Sequence, residues 1–584
     1  MFFAFFLLTP ARPSLACRKL GTAFWLSCAC VLTWPLEAAS RQPVAGNKGL
    51  VASTSPEASE IGASILKQGG TAADAAAAVG LALAVTWPAA GNLGGGGFSL
   101  VRPTKGEPQF IDYRETAPAA AGEKFYQDEK GNLIPEASAV GYRAPGVPGT
   151  VAGLELLHKR WGKLPWSKVV EPARRLAADG FRLRESHIRM LKANEELLRR
   201  FPETVRIFLP GGKLPAVGDL FVQKDLARSL AVIQKEGAAG FYRGSLAKAL
   251  VQDIQKNGGV IKASDLEAYK VELREPLLGR FKEFELLTAP PPSSGGIVLL
   301  EMLGMIEKDD LKSMGAGSAA SLHLMIEAMR RAFADRSEWL GDPAFVQNPI
   351  TQLLDASYLR QRRQEIDLKR ATASAAIKAA SLKVEDKEKP ETTHFTVSDS
   401  SGMIVSSTYT LNGSFGSGAT AKGTGILLNN EMDDFAAKVG EPNMYGLIQS
   451  ARNSIAPGKR PLSSMTPTIF LKNGQAVLAL GSPGGPTIIN TVFQVSLNVL
   501  VHGMNVQEAV DAPRVHQQWL PDEIVYEPEG LNPDSRQKLE AMGHRFTAKP
   551  RFMGDAQALY FDAEKGTWTG ASDSRWGGEV AAVR

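Results

Sequence analysis

The residues with the clearest chemical potential in this 584-residue chain flank a short turn. Thr392-Thr393-His394-Phe395-Thr396-Val397-Ser398 is β-rich, Asp399-Ser400-Ser401-Gly402 is turn-forming, and Met403 to Asn412 is β-rich again, so the segment reads as a hairpin. With a turn centred on Ser400 and Ser401, facing positions sum to about 801, to within one residue. Thr392 then faces residues 408–410, which puts Thr410 beside Thr392 and Asn412 on the face of Thr410. A threonine hydroxyl is a poor nucleophile until a base takes its proton. His394 shares a face with Thr392, but alternate strand residues lie ~6.6 Å apart, too far for a direct hydrogen bond. A distant Asp or His is a second option. The third is the α-amino group of Thr392 itself, released by cleavage at Glu391–Thr392, with a reference pKa of ~7.7–8.0. On spacing alone, a plain Thr-rich hairpin is the more common explanation.

Other polar clusters add to this one. Asn429-Asn430-Glu431-Met432-Asp433-Asp434 follows the strand 425–428; it is either a solvated acidic turn or a set of carboxylates for an ammonium group, and it lacks the alternation of a calcium loop. Arg460-Pro461-Leu462-Ser463-Ser464 offers adjacent hydroxyls, or a turn. Gly481-Ser482-Pro483-Gly484-Gly485-Pro486 joins a strand to a helix starting near Thr487, where exposed N–H groups stabilise an anion or an oxyanion. Leu480 rules out a serine elbow there. Arg114 is either a bidentate carboxylate clamp or a surface arginine. Ser64-Ile65-Leu66-Lys67 has the spacing of a serine–lysine hydrolase, but it sits in an amphipathic helix without partner motifs. No His/Asp/Glu spacing matches a metal site, and no cofactor is expected.

The elements that must position these groups are legible in the periodicity. An alanine-rich helix ends at Gln68-Gly69-Gly70, and Thr71 to Val85 is a second, nearly all-apolar helix, expected at the centre. Gly91 to Phe98 is a glycine run that fails the dinucleotide spacing at Ser99 and has no phosphate-loop lysine; it reads as a tight helix-to-strand turn with close backbone packing. Residues 150–370 read mainly as helices, including Ala319 to Trp339 and Leu246 to Gln255. Residues 371–391 have the composition of a mobile linker. From 392 the pattern turns to strands at 394–398, 403–411, 424–428, 466–472 and 476–481, a domain-scale change of character.

Composition bounds the rest. With 66 Lys+Arg, 61 Asp+Glu and 44% hydrophobic residues the chain is globular, and its small net charge gives no reason to expect nucleic acid. Residues 1–40 run from bases (Arg12, Arg18, Lys19) through an apolar stretch to Ala38-Ala39-Ser40, the order of a secretory signal peptide. Its removal changes the net charge from +5 to +3 and takes away Cys17, Cys28 and Cys30, so the mature chain has no thiol chemistry. A secreted, periplasmic protein is expected.

Taken together, these segments resemble the gamma-glutamyltransferases (gamma-glutamyltranspeptidases), a family of N-terminal nucleophile hydrolases. The likeness runs from about Val51 to about Arg575. It includes Ala84-Val85-Thr86-Trp87-Pro88 with the glycine run, Pro145-Gly146-Val147-Pro148-Gly149, Ser293-Ser294-Gly295-Gly296 and Ala334-Asp335-Arg336-Ser337-Glu338. It continues through Thr392-Thr393-His394, Thr408 to Asn412, Leu428 to Phe435, Arg460 to Met465 and Pro483-Gly484-Gly485. The resemblance implies an α+β fold, a four-layer αββα sandwich. It implies autocleavage between Glu391 and Thr392, giving a large chain of 41–391 and a small chain of 392–584 that stay together as a heterodimer. Thr392 would be the nucleophile and Thr410 its hydroxyl partner. Asn412, Glu431 and Asp434 would hold the α-amino group of a glutamyl donor; Arg114, Ser463 and Ser464 its α-carboxylate; Gly484 and Gly485 the oxyanion. A zwitterion does need carboxylates at one end and a guanidinium with further donors at the other. Pro442 to Leu447 resembles a lid loop.

Two departures stand out. Met403 replaces a small polar residue past the turn, with little effect expected, and Trp576-Gly577-Gly578 departs from the usual ending, which bears on C-terminal packing and not on the chemistry. The implied reaction is attack of Thr392 on the γ-glutamyl amide of glutathione or a related donor. The acyl-enzyme would then be resolved by water or by an amino-acid or dipeptide acceptor. The alternatives are a cephalosporin or glutaryl acylase of the same superfamily and an inactive secreted binding protein.

Overall fold

The computed structural model describes residues 40–379, 386–387, 392–441, 443–444, 447–528 and 530–583. Small side chains set its centre. All 15 residues of the helix Ala72–Thr86 are buried, with Thr71 closing a capping box on Asp74. The preceding helix, Pro56–Lys67, packs against it and is capped by Ser55. Ser64 and Lys67 both lie exposed on that helix, which removes the serine–lysine alternative.

Two seven-stranded antiparallel sheets lie face to face. The first runs, in spatial order, Glu579–Val583, Gly49–Ser53, Thr393–Asp399, Ile404–Thr410, Gly96–Arg102, Gln109–Tyr113 and Glu272–Arg274. The second runs Val44–Gly46, Thr567–Ser572, Gln557–Asp562, Gln475–Gly481, Thr468–Lys472, Phe284–Thr288 and Leu277–Phe281. Helices Pro56–Lys67 and Ala72–Thr86 cover the first sheet. Gly295–Ile306 and Thr487–Leu500 cover the second, with Ala319–Trp339 packed on Gly295–Ile306. A separate apolar core, including Phe98, Leu100, Ile404, Ile469 and Ala479, fills the space between the sheets. This is the four-layer αββα sandwich. It explains why every residue of Thr393–Asp399 and Ile404–Thr410 is buried: a central strand in such a sandwich has no solvent face.

Three expectations need correction. Residues 272–288 are not helical but form three short strands, whose length of three to five residues is too little for a clear period. Within the linker, Asp386–Lys387 pairs with Gln449–Ser450 and Ser374–Ala376 forms a 3-10 turn; residues 380–385 and 388–391 lie outside the described residues, as does most of the signal-peptide segment. The change of character at 392 is not a boundary between compact units. Pro43–Arg584 is one unit, and both sheets mix strands from before and after the linker.

Candidate active site

The hairpin carrying Thr392 is present, with Thr393 opposite Tyr409 and Ser398 opposite Ile404. Continued by one residue, this register sets Thr392 opposite Thr410. This is the pairing expected, within the one-residue tolerance of the turn-centred sum; Asp399 closes the turn, its Oδ1 accepting N–H bonds from Ser401 at 2.8 Å and Met403 at 3.2 Å, with Gly402 at φ 87°. Thr392 is 5% exposed, and its Oγ1 has no hydrogen-bond partner among the described residues. Thr410 Oγ1 accepts the Asn412 N–H at 2.7 Å, with Asn412 in the left-handed region at φ 72°.

The glycine run braces this hairpin by close approach. Gly96 pairs with Thr410, and a Cβ on Gly95 would lie 1.9 Å from the Thr410 carbonyl oxygen. Asn92 Nδ2 donates to that same oxygen at 2.8 Å. Asn412 Nδ2 in turn donates to Asn430 O at 3.0 Å, docking the acidic turn against the end of the strand. Asn429 ties the turn to the two glycine loops, donating to Gly94 O and Gly146 O and accepting from Glu431 N.

The acidic turn is buried, not solvated, and it surrounds Arg114. The Arg114 guanidinium, also fully buried, donates to both Glu431 and Asp434 and lies 3.7 Å from Glu115. Three carboxylates thus share one guanidinium. Burial pushes Glu115, Glu431 and Asp434 up, and their mutual repulsion adds for Glu115 and Asp434; Arg114 opposes the rise. Burial alone would depress Arg114, but Glu431, Asp434 and Glu115 outweigh it and hold the guanidinium above its ordinary value. Both Glu115 oxygens, Glu431 Oε2 and Asp434 Oδ1 lack a donor, so the cluster either retains a proton or accepts further positive charge.

Ser463 and Ser464 sit beside this cluster, next to Leu462, whose carbonyl accepts from Arg114 at 3.3 Å. Ser464 Oγ accepts from Arg336 Nη2 at 3.1 Å, and Arg336 Nε donates to Ser294 Oγ at 2.8 Å. Burial pushes Arg336 down to about 9, with Asp434 partly opposing. Gly484 and Gly485 adopt φ 125° and 64° at the entrance to helix Thr487–Leu500, and Gly484 lines one cavity with Thr392. A buried threonine hydroxyl, a glycine loop at a helix start and a buried cluster of one guanidinium with three carboxylates are therefore held around one hairpin. Glu391 lies outside the described residues, as do Pro442, Tyr445 and Gly446 of the lid-like loop. Its described Asn443 donates to Asp433 O at 2.9 Å.

Residues 58–583 match the family described as Gamma-glutamyltranspeptidase. The chain belongs to the gamma-glutamyltranspeptidase family. It is 45% identical over 534 residues to the glutathione hydrolase proenzyme of Escherichia coli (strain K12), covering 91% of both chains. It is also 38% identical to the acylase ACY 1 proenzyme of Pseudomonas sp. (strain SE83), over 93% of this chain and 95% of that one. The crystal structure of cephalosporin acylase from Bacillus halodurans superposes with a TM-score of 0.84 at 27% identity, covering 95% of this chain and 99% of that chain.

Within this gamma-glutamyltranspeptidase-family fold, several site residues carry no local sequence signal. Glu115, next to Arg114 in the chain, gives no local sign that it is buried as a third carboxylate 3.7 Å from that guanidinium, and Arg336 reaches Ser464 across 128 positions. His394 is not a base for Thr392. Its ring contacts Thr408 Oγ1 at 2.8 Å and Thr396 Oγ1 at 2.9 Å, and burial pushes it down to about 3, so it is neutral. It packs beneath the start of the Gly484-Gly485 loop: a Cβ on Gly481 would lie 2.3 Å from the imidazole, which is why the strand ends on glycine there. Asp555 is a further buried carboxyl in the Thr392 cavity. It accepts from Thr54 Oγ1 at 2.6 Å, and Thr54 Oγ1 lies 3.2 Å from Thr393 Oγ1. Burial, then Asp573, push it up to about 8.

Proposed function

We propose that the protein is a self-processing gamma-glutamyltransferase and glutathione hydrolase in which Thr392 is the nucleophile. Cleavage of Glu391–Thr392 frees an α-amino group that takes the proton from Thr392 Oγ1. The hydroxyl attacks the γ-carbonyl carbon of a γ-glutamyl amide. The N–H groups of Gly484 and Gly485 bind the oxyanion, the amide C–N bond breaks, and an acyl-enzyme ester forms. Water, an amino acid or a dipeptide then resolves it. The same hydroxyl attacking the Glu391 carbonyl accounts for maturation. Thr410, fixed by the Asn412 N–H, orients the nucleophile from the neighbouring strand.

The observation that carries this reading is the buried cluster of Arg114 with Glu115, Glu431 and Asp434. An isolated excess of buried carboxylate is costly, and an α-ammonium group is the ligand that relieves it. Arg114 and Ser464 then serve the α-carboxylate with Ser463. The relatives named glutathione hydrolase proenzyme support the same donor. The interleaving of both segments in both sheets supports a large chain of 41–391 and a small chain of 392–584 held as a heterodimer. The basic, apolar and small-residue order of residues 1–40 supports export to the periplasm.

The acylase relatives and the acylase neighbour favour a second reading, a glutaryl or cephalosporin side-chain acylase. Anilides of γ-glutamate and of glutarate, which differ only in the α-ammonium group, separate the two. We expect kcat/KM to favour the γ-glutamyl anilide by on the order of 10²–10³-fold, the value of a buried charge pair. Equal or better use of the glutaryl anilide would establish the acylase.

A further inference from the structure

Thr392 and Gly484 border more than the donor's ionic groups. Both line a cavity of about 110 Å³ whose walls include Trp87, Met190, Phe552, Trp576 and Arg551, and which contains none of Arg114, Glu431, Asp434, Ser463 and Ser464. The cavity opens to solvent at Phe552, which is 51% exposed. Its aromatic wall is held in place. Trp576 donates its Nε1–H to Gly554 O at 3.1 Å, meets Trp87 edge-on at 6.4 Å, and lies under the Arg189 guanidinium at 4.3 Å. The adjacent Arg575 is locked by Glu527 at 2.5 Å and Asp573 at 2.9 Å. The ending that departs from the family's usual sequence at Trp576 therefore forms a rigid wall next to the nucleophile. Asp555 also lines the cavity, but its oxygens are taken by Thr54 and Gln557. Arg551 is then the cation in a lining that combines the aromatic wall with the hydroxyl residues Ser414 and Thr487.

Resting on the glutamyl-transfer reading above, we propose that this cavity is the subsite for the amine that resolves the acyl-enzyme, and that it selects amino acids or peptides with a large apolar or aromatic side chain and a free carboxylate. The side chain enters between Trp87 and Trp576, the carboxylate faces Arg551, and the amine nitrogen reaches the γ-carbonyl carbon. A C–N bond forms, the ester bond to Thr392 Oγ1 breaks, and the amine proton passes through the Thr392 α-amino group to the departing oxygen.

The test uses the processed enzyme with γ-glutamyl anilide as donor and L-phenylalanine, glycine and phenylalaninamide as acceptors. Wild type should use phenylalanine over glycine by about ten-fold or more, and over its amide. Trp576→Ala should bring the phenylalanine:glycine ratio toward one. Phe552→Ser, at a solvent-exposed position that tolerates change, should lower it as well. Arg551→Gln should abolish the preference for acid over amide. Each ratio is read within one variant, so changes in overall rate cancel. Equal use of phenylalanine and glycine by wild type, transfer to neither, or a ratio unmoved by both Trp576→Ala and Phe552→Ser would overturn the subsite while leaving donor hydrolysis standing. A wild type that releases no anilide would refute the parent reading and the subsite with it.

Discussion

Replacing Arg114 by glutamine removes the one guanidinium that two buried carboxylates share directly and a third approaches at 3.7 Å. Deleting one partner of a buried ion pair costs about 3–5 kcal/mol, because the remaining charge is stranded. The cost here should depend on pH. Burial already pushes Glu431, Asp434 and Glu115 toward the protonated form, so at low pH they take up protons and most of the penalty disappears. Arg114→Gln should therefore lower the melting temperature more at pH 8 than at pH 5.5. The double variant Arg114→Gln/Glu431→Gln, which removes a stranded charge as well, should recover part of the loss at pH 8. Donor binding loses a buried charged partner worth about 2–5 kcal/mol, which raises KM for γ-glutamyl anilide by about 30-fold to several thousand-fold. Self-cleavage should persist, because Arg114 takes no part in the chemistry of Thr392. Two subunit bands together with an unchanged KM would refute the assignment of Arg114 and the charge argument with it.

Thr392→Ala should give one uncut, inactive band of mature length; two bands would place the nucleophile elsewhere. Gly481→Ala would push a methyl group to 2.3 Å from His394, whose ring is pinned by Thr396 and Thr408, so a loss of about 1–3 kcal/mol and slower self-cleavage are expected. Wild-type melting and maturation in that variant would contradict the support given to the oxyanion loop. Asp555, pushed up to about 8 by burial and then by Asp573, holds in the folded chain a proton that the unfolded chain releases above pH ~3.9. The stability this confers is complete below pH ~3.9 and is lost as pH rises through about 8. Asp555→Asn should thus gain on wild type in melting temperature between pH 5 and pH 8; a constant difference would refute the raised value.

The parts of the site that were legible in sequence are those written in local periodicity and turn chemistry. The hairpin register, which sets Thr410 beside Thr392, is legible to within one residue from the turn residues alone, and the Asp399 side-chain hydrogen bonds fix where the turn is centred. The strand-to-helix turn at Gly484 and Gly485 and the buried helix after Thr71 were readable from glycine placement and apolar runs. The glycine run is legible as a packing device: Gly95 and Gly97 lie against the strand of Thr410, while Gly94 and Gly96 approach Leu427 and Glu115. What the sequence did not disclose was carried by distance along the chain. Glu115 and Glu431 are 316 positions apart, and Arg336 reaches the loop residue Ser464 from the helix Ala319–Trp339, so no spacing rule links them. The short strands of 272–288 were hidden for a different reason, since five residues hold too little alternation to outweigh a helical neighbourhood.

The central claim is that Thr392 becomes an amino terminus and that its own amine activates its own hydroxyl. Amino-terminal sequencing of the small subunit from purified, active enzyme tests it most directly. A single sequence beginning TTHFTV is expected; activity that resides wholly in uncut chain, or a small subunit that begins at any other residue, would refute the role of Thr392.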